Sequence, residues 1–122
     1  MYPVRHTVTI ETDADGDGTG YTGVVNGRVL SIQYVKDDYA NGVDFDVTGE
    51  TTGQVIWDQD DVNASVQVAP RQPTHDKAGA ASLFAAGGEP VEDYYYVANE
   101  RIKIVVGSGG NTKSGTFHVV VG

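Results

Sequence analysis

Arg101-Ile102-Lys103-Ile104-Val105-Val106 sets Ile102, Ile104 and Val106 against Arg101 and Lys103 with a period of two. Beyond the glycine-rich stretch Gly107-Ser108-Gly109-Gly110-Asn111, Thr116-Phe117-His118-Val119-Val120-Val121 repeats the pattern, with Phe117, Val119 and Val121 sharing a face. Successive side chains of extended backbone point to opposite sides, so this alternation belongs to strands buried on one face. The β-branched content agrees. Glycine-rich steps supply the positive φ angles of tight turns, so the spacing predicts a C-terminal hairpin joined through residues 107–114.

The same reading extends outward. In Val4-Arg5-His6-Thr7-Val8-Thr9-Ile10, Val4, Val8 and Ile10 share a face with His6. Val43-Asp44-Phe45-Asp46-Val47-Thr48 alternates cleanly, and residues 28–35 are apolar on both faces near Val29, Leu30 and Ile32. Residues 54–58, with the single tryptophan, and residues 93–98, with Tyr94, Tyr95 and Tyr96, complete the set. Turn signals separate these runs at Asp15-Gly16-Asp17-Gly18, Asn26-Gly27, Asn41-Gly42 and Gly87-Gly88. The expected fold is all-β: one domain over residues 1–122, an antiparallel β-sandwich or jelly-roll-like barrel of about seven or eight strands. The strand ending at Gly122 must pair within a sheet or with a neighbour, because an open strand edge is adhesive.

One segment breaks the rhythm. Val68-Ala69-Pro70-Arg71-Gln72-Pro73-Thr74-His75 holds two prolines, which lack ladder donors, and reads as no central strand. Residues 70–88 are expected to form one long loop, with residues 76–86 as either a short helix capped by Thr74 or Asp76 or an ordered loop. Long irregular insertions in compact domains usually contact something.

Charge is lopsided. Residues 1–61 carry twelve Asp/Glu against three Lys/Arg, a net of −9, whereas residues 62–122 carry five of each and balance. No basic cluster is available to neutralise phosphates, which argues against DNA or RNA as a partner. There is no cysteine, hence no disulfide or thiolate chemistry. The N-terminal residues lack the apolar core of a signal peptide, and no apolar run approaches the ~18 residues that span a bilayer, so no membrane is expected.

Chemistry-bearing motifs are few. Asp13-Ala14-Asp15-Gly16-Asp17-Gly18-Thr19 places oxygen ligands at the first, third and fifth positions and glycine at the sixth, like the opening of a calcium loop. The twelfth position is Val24 where a bidentate Glu is needed, and strands flank it where helices should. Asp13, Asp15 and Asp17 are thus a weak calcium site, and a polar turn explains the same residues. His6 and His118 read as packing or surface groups, leaving His75, beside Asp76, as the one candidate base. Ser108 lies in a turn and in no nucleophile elbow. Asp37-Asp38 and Asp60-Asp61 abut turns and read as solvated ends. No catalytic residue or cofactor is expected, and the chain reads as no enzyme. Trp57 and the tyrosine run suit stacking on a sugar or a partner protein alike, and at least one of the three tyrosines must be exposed.

Further stretches carry a family resemblance: Tyr34-Val35-Lys36-Asp37-Asp38-Tyr39, Gly42-Val43-Asp44-Phe45-Asp46-Val47-Thr48-Gly49-Glu50, Ile56-Trp57, Asp61-Val62-Asn63-Ala64-Ser65, Ala69-Pro70-Arg71, Gly79-Ala80-Ala81, Ala98-Asn99-Glu100-Arg101-Ile102-Lys103-Ile104-Val105-Val106 and Gly115-Thr116-Phe117-His118-Val119. From about Thr7 to the end, the chain resembles small structural proteins of tailed bacteriophages and prophages, the minor capsid and head-decoration proteins. The resemblance implies a virion component made in the host cytoplasm and placed on the capsid exterior, often as a trimer. Its partner would be the major capsid protein, with capsomers bridged by a cementing contact; a neck or tail component is the closest rival. Acidic copies around one axis would repel unless neutral faces meet, so contacts are expected from the balanced second half: Arg71, Tyr95, Arg101 and Lys103. A carbohydrate-binding module, calcium-dependent through the Asp13–Asp17 loop, is the alternative of a different class.

Overall fold

The computed structural model describes residues 2–122. Among them there is no helix, and eight strands follow in order: β1 (Val4–Glu11), β2 (Gly18–Val35), β3 (Val43–Gly49), β4 (Val55–Val62), β5 (Val66–Val68), β6 (Arg71–Pro73), β7 (Glu92–Gly107) and β8 (Ser114–Val121). The main ladder runs β1-β8-β2-β7-β3-β4, with β5 added to β2 and β6 to β7. Every pairing is antiparallel. The all-β, sandwich-like class expected from the alternating runs is the class observed.

β2 organises the whole. Its first part pairs with β7, from Gly18 opposite Val106 to Val29 opposite Tyr95. Its last part pairs with β8, from Val29 opposite Val121 to Val35 opposite Thr116, while β5 lines the other edge at Ile32 to Tyr34. Register shifts between Tyr21 and Val24, Val25 and Gly27, and Val29 and Ser31 bend the strand between these duties. The sheet then doubles back: a Cβ at Gly18 would lie 2.7 Å from Ile10 Cγ2, and one at Gly20 2.7 Å from Val8 Cγ1. Glycine lets β1 lie flat against the start of β2.

An aromatic knot fills the space so enclosed. Tyr34, Tyr39, Phe45 and Phe117 are buried, and Trp57 packs on their margin. Ring centroids stand 4.8 Å apart for Tyr34–Phe45, 5.1 Å for Phe45–Phe117 and 5.0 Å for Phe45–Trp57, in tilted or edge-on contact. Tyr39 lies over Gly115, where a Cβ would come within 2.2 Å of the ring, and its hydroxyl donates to the Ile10 carbonyl at 2.6 Å. Tyr34 Oη is equally enclosed, with no hydrogen-bond partner among the described residues. Burial, helped by the charge of Asp37, pushes its pKa up to about 12.

Four expectations need correction. The two C-terminal strands do not pair with each other, because β2 lies between β8 and β7. Alternation shows which face of a strand is buried and leaves its partner open. Asn26-Gly27 makes no turn: Gly27, at φ 125°, is a bulge within continuous β2. Residues 93–98 and 101–106 are one strand, β7, with Asn99 at φ 52°. Of the expected loop over residues 70–88, Arg71–Pro73 is a strand paired with β7, and residues 76–86 take the ordered-loop form of the two alternatives, with no helix. Asp76 Oδ1 accepts the N–H groups of Ala78 and Ala80, diverting the backbone into a turn. Bridges at His75–Ala81 and Leu83–Pro90 then zip the segment into an arm standing on β6 and β7. The terminal strand β8 pairs with both β1 and β2 and leaves no open edge of its own.

The two buried tyrosines should respond to hydroxyl removal with opposite signs. Tyr39→Phe loses a buried hydrogen bond and leaves the Ile10 carbonyl bare, costing about 1 kcal/mol, whereas Tyr34→Phe removes a hydroxyl without a partner and stabilises by about the same. Gly115→Ala overpacks the ring and costs about 3 kcal/mol. Urea midpoints of the three variants check the order, and a loss of stability in Tyr34→Phe would contradict it.

Candidate functional site

The acidic β1–β2 loop is built as a turn. Asp13 Oδ1 accepts the N–H groups of Asp15 and Asp17 at 2.9 and 3.0 Å. Gly16 takes φ 87°, and its carbonyl accepts the Gly109 N–H at 2.9 Å, which docks this loop on the one between β7 and β8. Among the described residues no group of three or more His, Cys, Asp or Glu side chains is placed to hold a metal ion. The three aspartates are exposed, and one oxygen of Asp13 is already engaged.

The histidines are scattered. His118 Nδ1 lies 3.1 Å from Thr7 Oγ1 on the cross-strand pair β1–β8. His75 is exposed at the base of the arm, and among the described residues no hydrogen bond joins its ring to a hydroxyl or a carboxylate. The Asp37 and Asp38 carboxylates serve the fold: Asp37 accepts from Thr116 Oγ1 and Asp38 from the Ser114 N–H. Asp61 Oδ1 lies 3.5 Å from Asn63 Nδ2.

The expected contact residues are mostly engaged within the chain. Arg71 lays its guanidinium 3.9 Å from the centre of the Tyr94 ring, which Arg28 also approaches at 5.1 Å. Arg101 pairs with Glu50 and covers Tyr21 at 4.1 Å. Tyr95 is half-buried against the core, and Lys103 is half-buried on β7 opposite Thr48. The exposed member of the tyrosine run is Tyr96, at 53%. Its hydroxyl reaches both oxygens of Asp93, and this hydrogen bond, more than desolvation, raises its pKa.

An acidic stripe covers the outer face of β3 and β4. Asp46 stands opposite Asp58 across the ladder. Desolvation, then a hydrogen bond with the Asp58 carboxyl and the charges of Asp58 and Asp60, raises the Asp46 carboxyl above the ordinary carboxylate range. Glu100, by contrast, is a buried acid in a finished nest: it accepts from the N–H groups of Thr51 and Thr52 at 3.0 and 3.1 Å and from the Thr52 hydroxyl. It pins the β3–β4 turn.

Three features face outward without an internal task. A cleft of about 440 Å³ opens between β4 and β5, lined by Trp57, Gln59, Asn63, Ser65, Val66 and Val68. Its Asn63 Oδ1 and Ser65 Oγ accept from the N–H groups of Gly42 and Lys36, so they are partly committed to turns. A second cleft, of about 220 Å³, is lined by Tyr2, Val4, His6, Val24, Val25, Asn26 and Val121. The third feature is the arm of residues 74–91. Thr74 donates to Val91, Ser82 to Thr74, Val91 to Ser82 and Phe84 to Glu89, all through backbone amides. Its tip presents Leu83 at 43% and Phe84 at 76% exposure. The prolines and length of this segment mark it in sequence, but the exposure of Leu83 and Phe84 is visible only in the structure.

No family model, curated protein or solved structure matches the chain.

The acidic stripe makes a pH prediction. The Asp46 pKa is higher folded than unfolded, so the folded state binds more protons between the two values. Its contribution is therefore full below about pH 4, the ordinary aspartate value, and is lost as pH rises through the raised folded value. Asp46→Asn removes that loss and should be about 0.5 kcal/mol more stable than the parent at pH 7. Urea midpoints of both chains from acid to neutral pH check it; a gap that fails to widen with pH would exclude the repulsion.

Proposed function

We propose that this chain is a structural protein that works by holding neighbouring subunits together, as the resemblance to tailed-phage minor capsid and head-decoration proteins implies. The observation that carries the reading is the arm. Residues 69–94 contribute nothing to the buried apolar cluster, yet their backbone is bonded into an ordered projection with an exposed phenylalanine at the end. A large exposed aromatic on an ordered projection is a common feature of contact surfaces.

In this reading the protein sits on the capsid exterior, with the major capsid protein as its partner, and opposes the outward pressure of packaged DNA by bridging capsomers. A trimer at a three-fold position is the arrangement the resemblance favours, with a neck or tail position as the rival. A standard interface buries about 1,600 Å² in total, and repetition over a particle makes modest affinity at each site sufficient. The net charge of −9 suits a surface that faces water and avoids DNA. The uncharged tip takes over the contact role expected of Arg71 and Arg101, which are spent on Tyr94 and on Glu50 and Tyr21.

The cleft beside Trp57 favours a second reading, a sugar-binding module, since an indole flanked by Gln59 offers a stacking face and an amide. Titration calorimetry with a glycan panel separates the two.

The virion reading is tested on particles. Thr74 and Val91 are backbone partners, so residues 75–90 can be replaced by a two-residue Asn-Gly turn. The shortened chain should keep its urea midpoint to within about 0.5 kcal/mol, since no core residue is lost. Mass spectrometry of gradient-purified particles should find the full chain in many copies and the shortened chain at less than about a tenth of that occupancy. Absence of the full chain from mature particles ends the virion reading; equal occupancy of both chains ends the role of the arm.

A further inference from the structure

We infer that the partner of the arm is a second copy of this chain, whose β1–β2 cleft receives Phe84 in a head-to-tail contact. The inference rests on the reading of the arm as a contact element and names what it touches.

Size is the first argument. The cleft measures about 220 Å³, and four of its lining residues are valines, Val4, Val24, Val25 and Val121. An apolar cavity of roughly 150 Å³ accepts a benzene molecule, so a phenyl ring fits with room for part of Leu83. Val24 is 58% exposed and Phe84 76% exposed, and Phe84 is not among the residues lining the cleft of its own chain. Knob and hole are both open on each copy.

Charge is the second. Two copies at −9 repel unless the surfaces that meet carry no acid. Residues 78–88, Ala-Gly-Ala-Ala-Ser-Leu-Phe-Ala-Ala-Gly-Gly, hold no ionisable side chain at all. The cleft lining holds no carboxylate, and its one basic group is His6. The acid nearest the tip is Glu89, whose carbonyl accepts the Phe84 N–H at 3.0 Å. His6 in the cleft offers that acid a partner of complementary character, whereas the acidic stripe of β3 and β4 would repel it.

Preorganisation is the third. The tip is closed by the Phe84–Glu89 and Ala85–Gly88 backbone bonds, with Gly87 at φ 72°, so the backbone that carries the ring is set before contact. Because knob and hole are different surfaces, the contact is heterologous: it closes into a ring where the rotation permits, and a ring of three is one such closure.

Sedimentation velocity of the full chain tests it. The parent should show species larger than a monomer that grow with concentration. Phe84→Asp and Val24→Asp alter exposed side chains, should keep the circular dichroism of the parent, and should each raise the dissociation constant at least about tenfold. The decisive sample mixes the two variants. One keeps an intact cleft and the other an intact arm, so the mixture should regain a single joint and form a dimer but nothing larger. A parent that stays monomeric at about 1 mM, association indifferent to both substitutions, or a mixture that stays monomeric would each overturn the inference. A monomeric parent whose arm is nevertheless needed on particles would remove the second copy as partner while keeping the arm as the contact.

Discussion

One strand has to serve two layers, and the rest of the molecule follows from how it does so. β2 runs for 18 residues, pairs with β7 in its first part and with β8 in its last, and would be a straight edge-to-edge ribbon without its bulges. Extra residues at the bulges increase local twist and turn the strand from one layer into the other. The turn is useful only if the layers can close, and closure requires Gly18 and Gly20, where Val8 and Ile10 of β1 occupy the space of a side chain. Once β1 is seated, the Ile10 carbonyl becomes the anchor for Tyr39, and Tyr39 holds residues 36–42 over Gly115 of β8. The aromatic knot is therefore a consequence of strand geometry as much as of apolar content.

Acidity is handled by position. The ladder ends at β1 and at β4, and such edges invite pairing with other chains. β4 carries Asp58, Asp60 and Asp61 along its exposed length, which makes that edge repellent at the expense of the raised Asp46 carboxyl on the adjacent strand. Glu100 shows the opposite solution, with its carboxyl group hydrogen-bonded by the N–H groups of a turn it holds in place. The first arrangement discourages pairing at the sheet edge of β4, and the second lets a buried acid pin the β3–β4 turn.

Period-two alternation made the core strands legible: Val43 to Val47, Ile102 to Val106 and Phe117 to Val121 all bury the residues that their spacing marks. Residues 18–27 were not legible as strand, because Gly18, Gly20, Gly23 and Gly27 are the marks of a turn in sequence and the means of close packing in space. Pairing partners were not legible either. The spacing that suggested a C-terminal hairpin is a local signal, whereas the insertion of β2 between β7 and β8 depends on residues far away in sequence, such as Ile32 opposite Val119. Of the candidate contact residues, Arg71 and Arg101 are engaged within the chain, which their spacing in sequence does not show. A guanidinium stacks on a nearby tyrosine when one is available, and Tyr94 and Tyr21 are available. The exposed position of Phe84 is set by Asp76, whose carboxylate captures two amides and turns the chain before a helix can start.

An ordered arm outside the core calls for its own explanation. Fixing a residue costs roughly 1–2 kcal/mol of backbone entropy, and residues 74–91 recover none of it through the buried cluster. Backbone hydrogen bonds contribute only about 1 kcal/mol each in net terms, so the arm is held near balance by its bridges, its Asp76 turn and its seat on β7. A floppy loop of the same composition would be equally soluble and would fold no worse. What the ordered form adds is a backbone that already holds Phe84 outward, so that less chain entropy remains to be lost on contact. In the proposed reading that advantage belongs to a surface that meets a partner, and the absence of charge from residues 78–88 in so acidic a chain favours a face with little charge of its own.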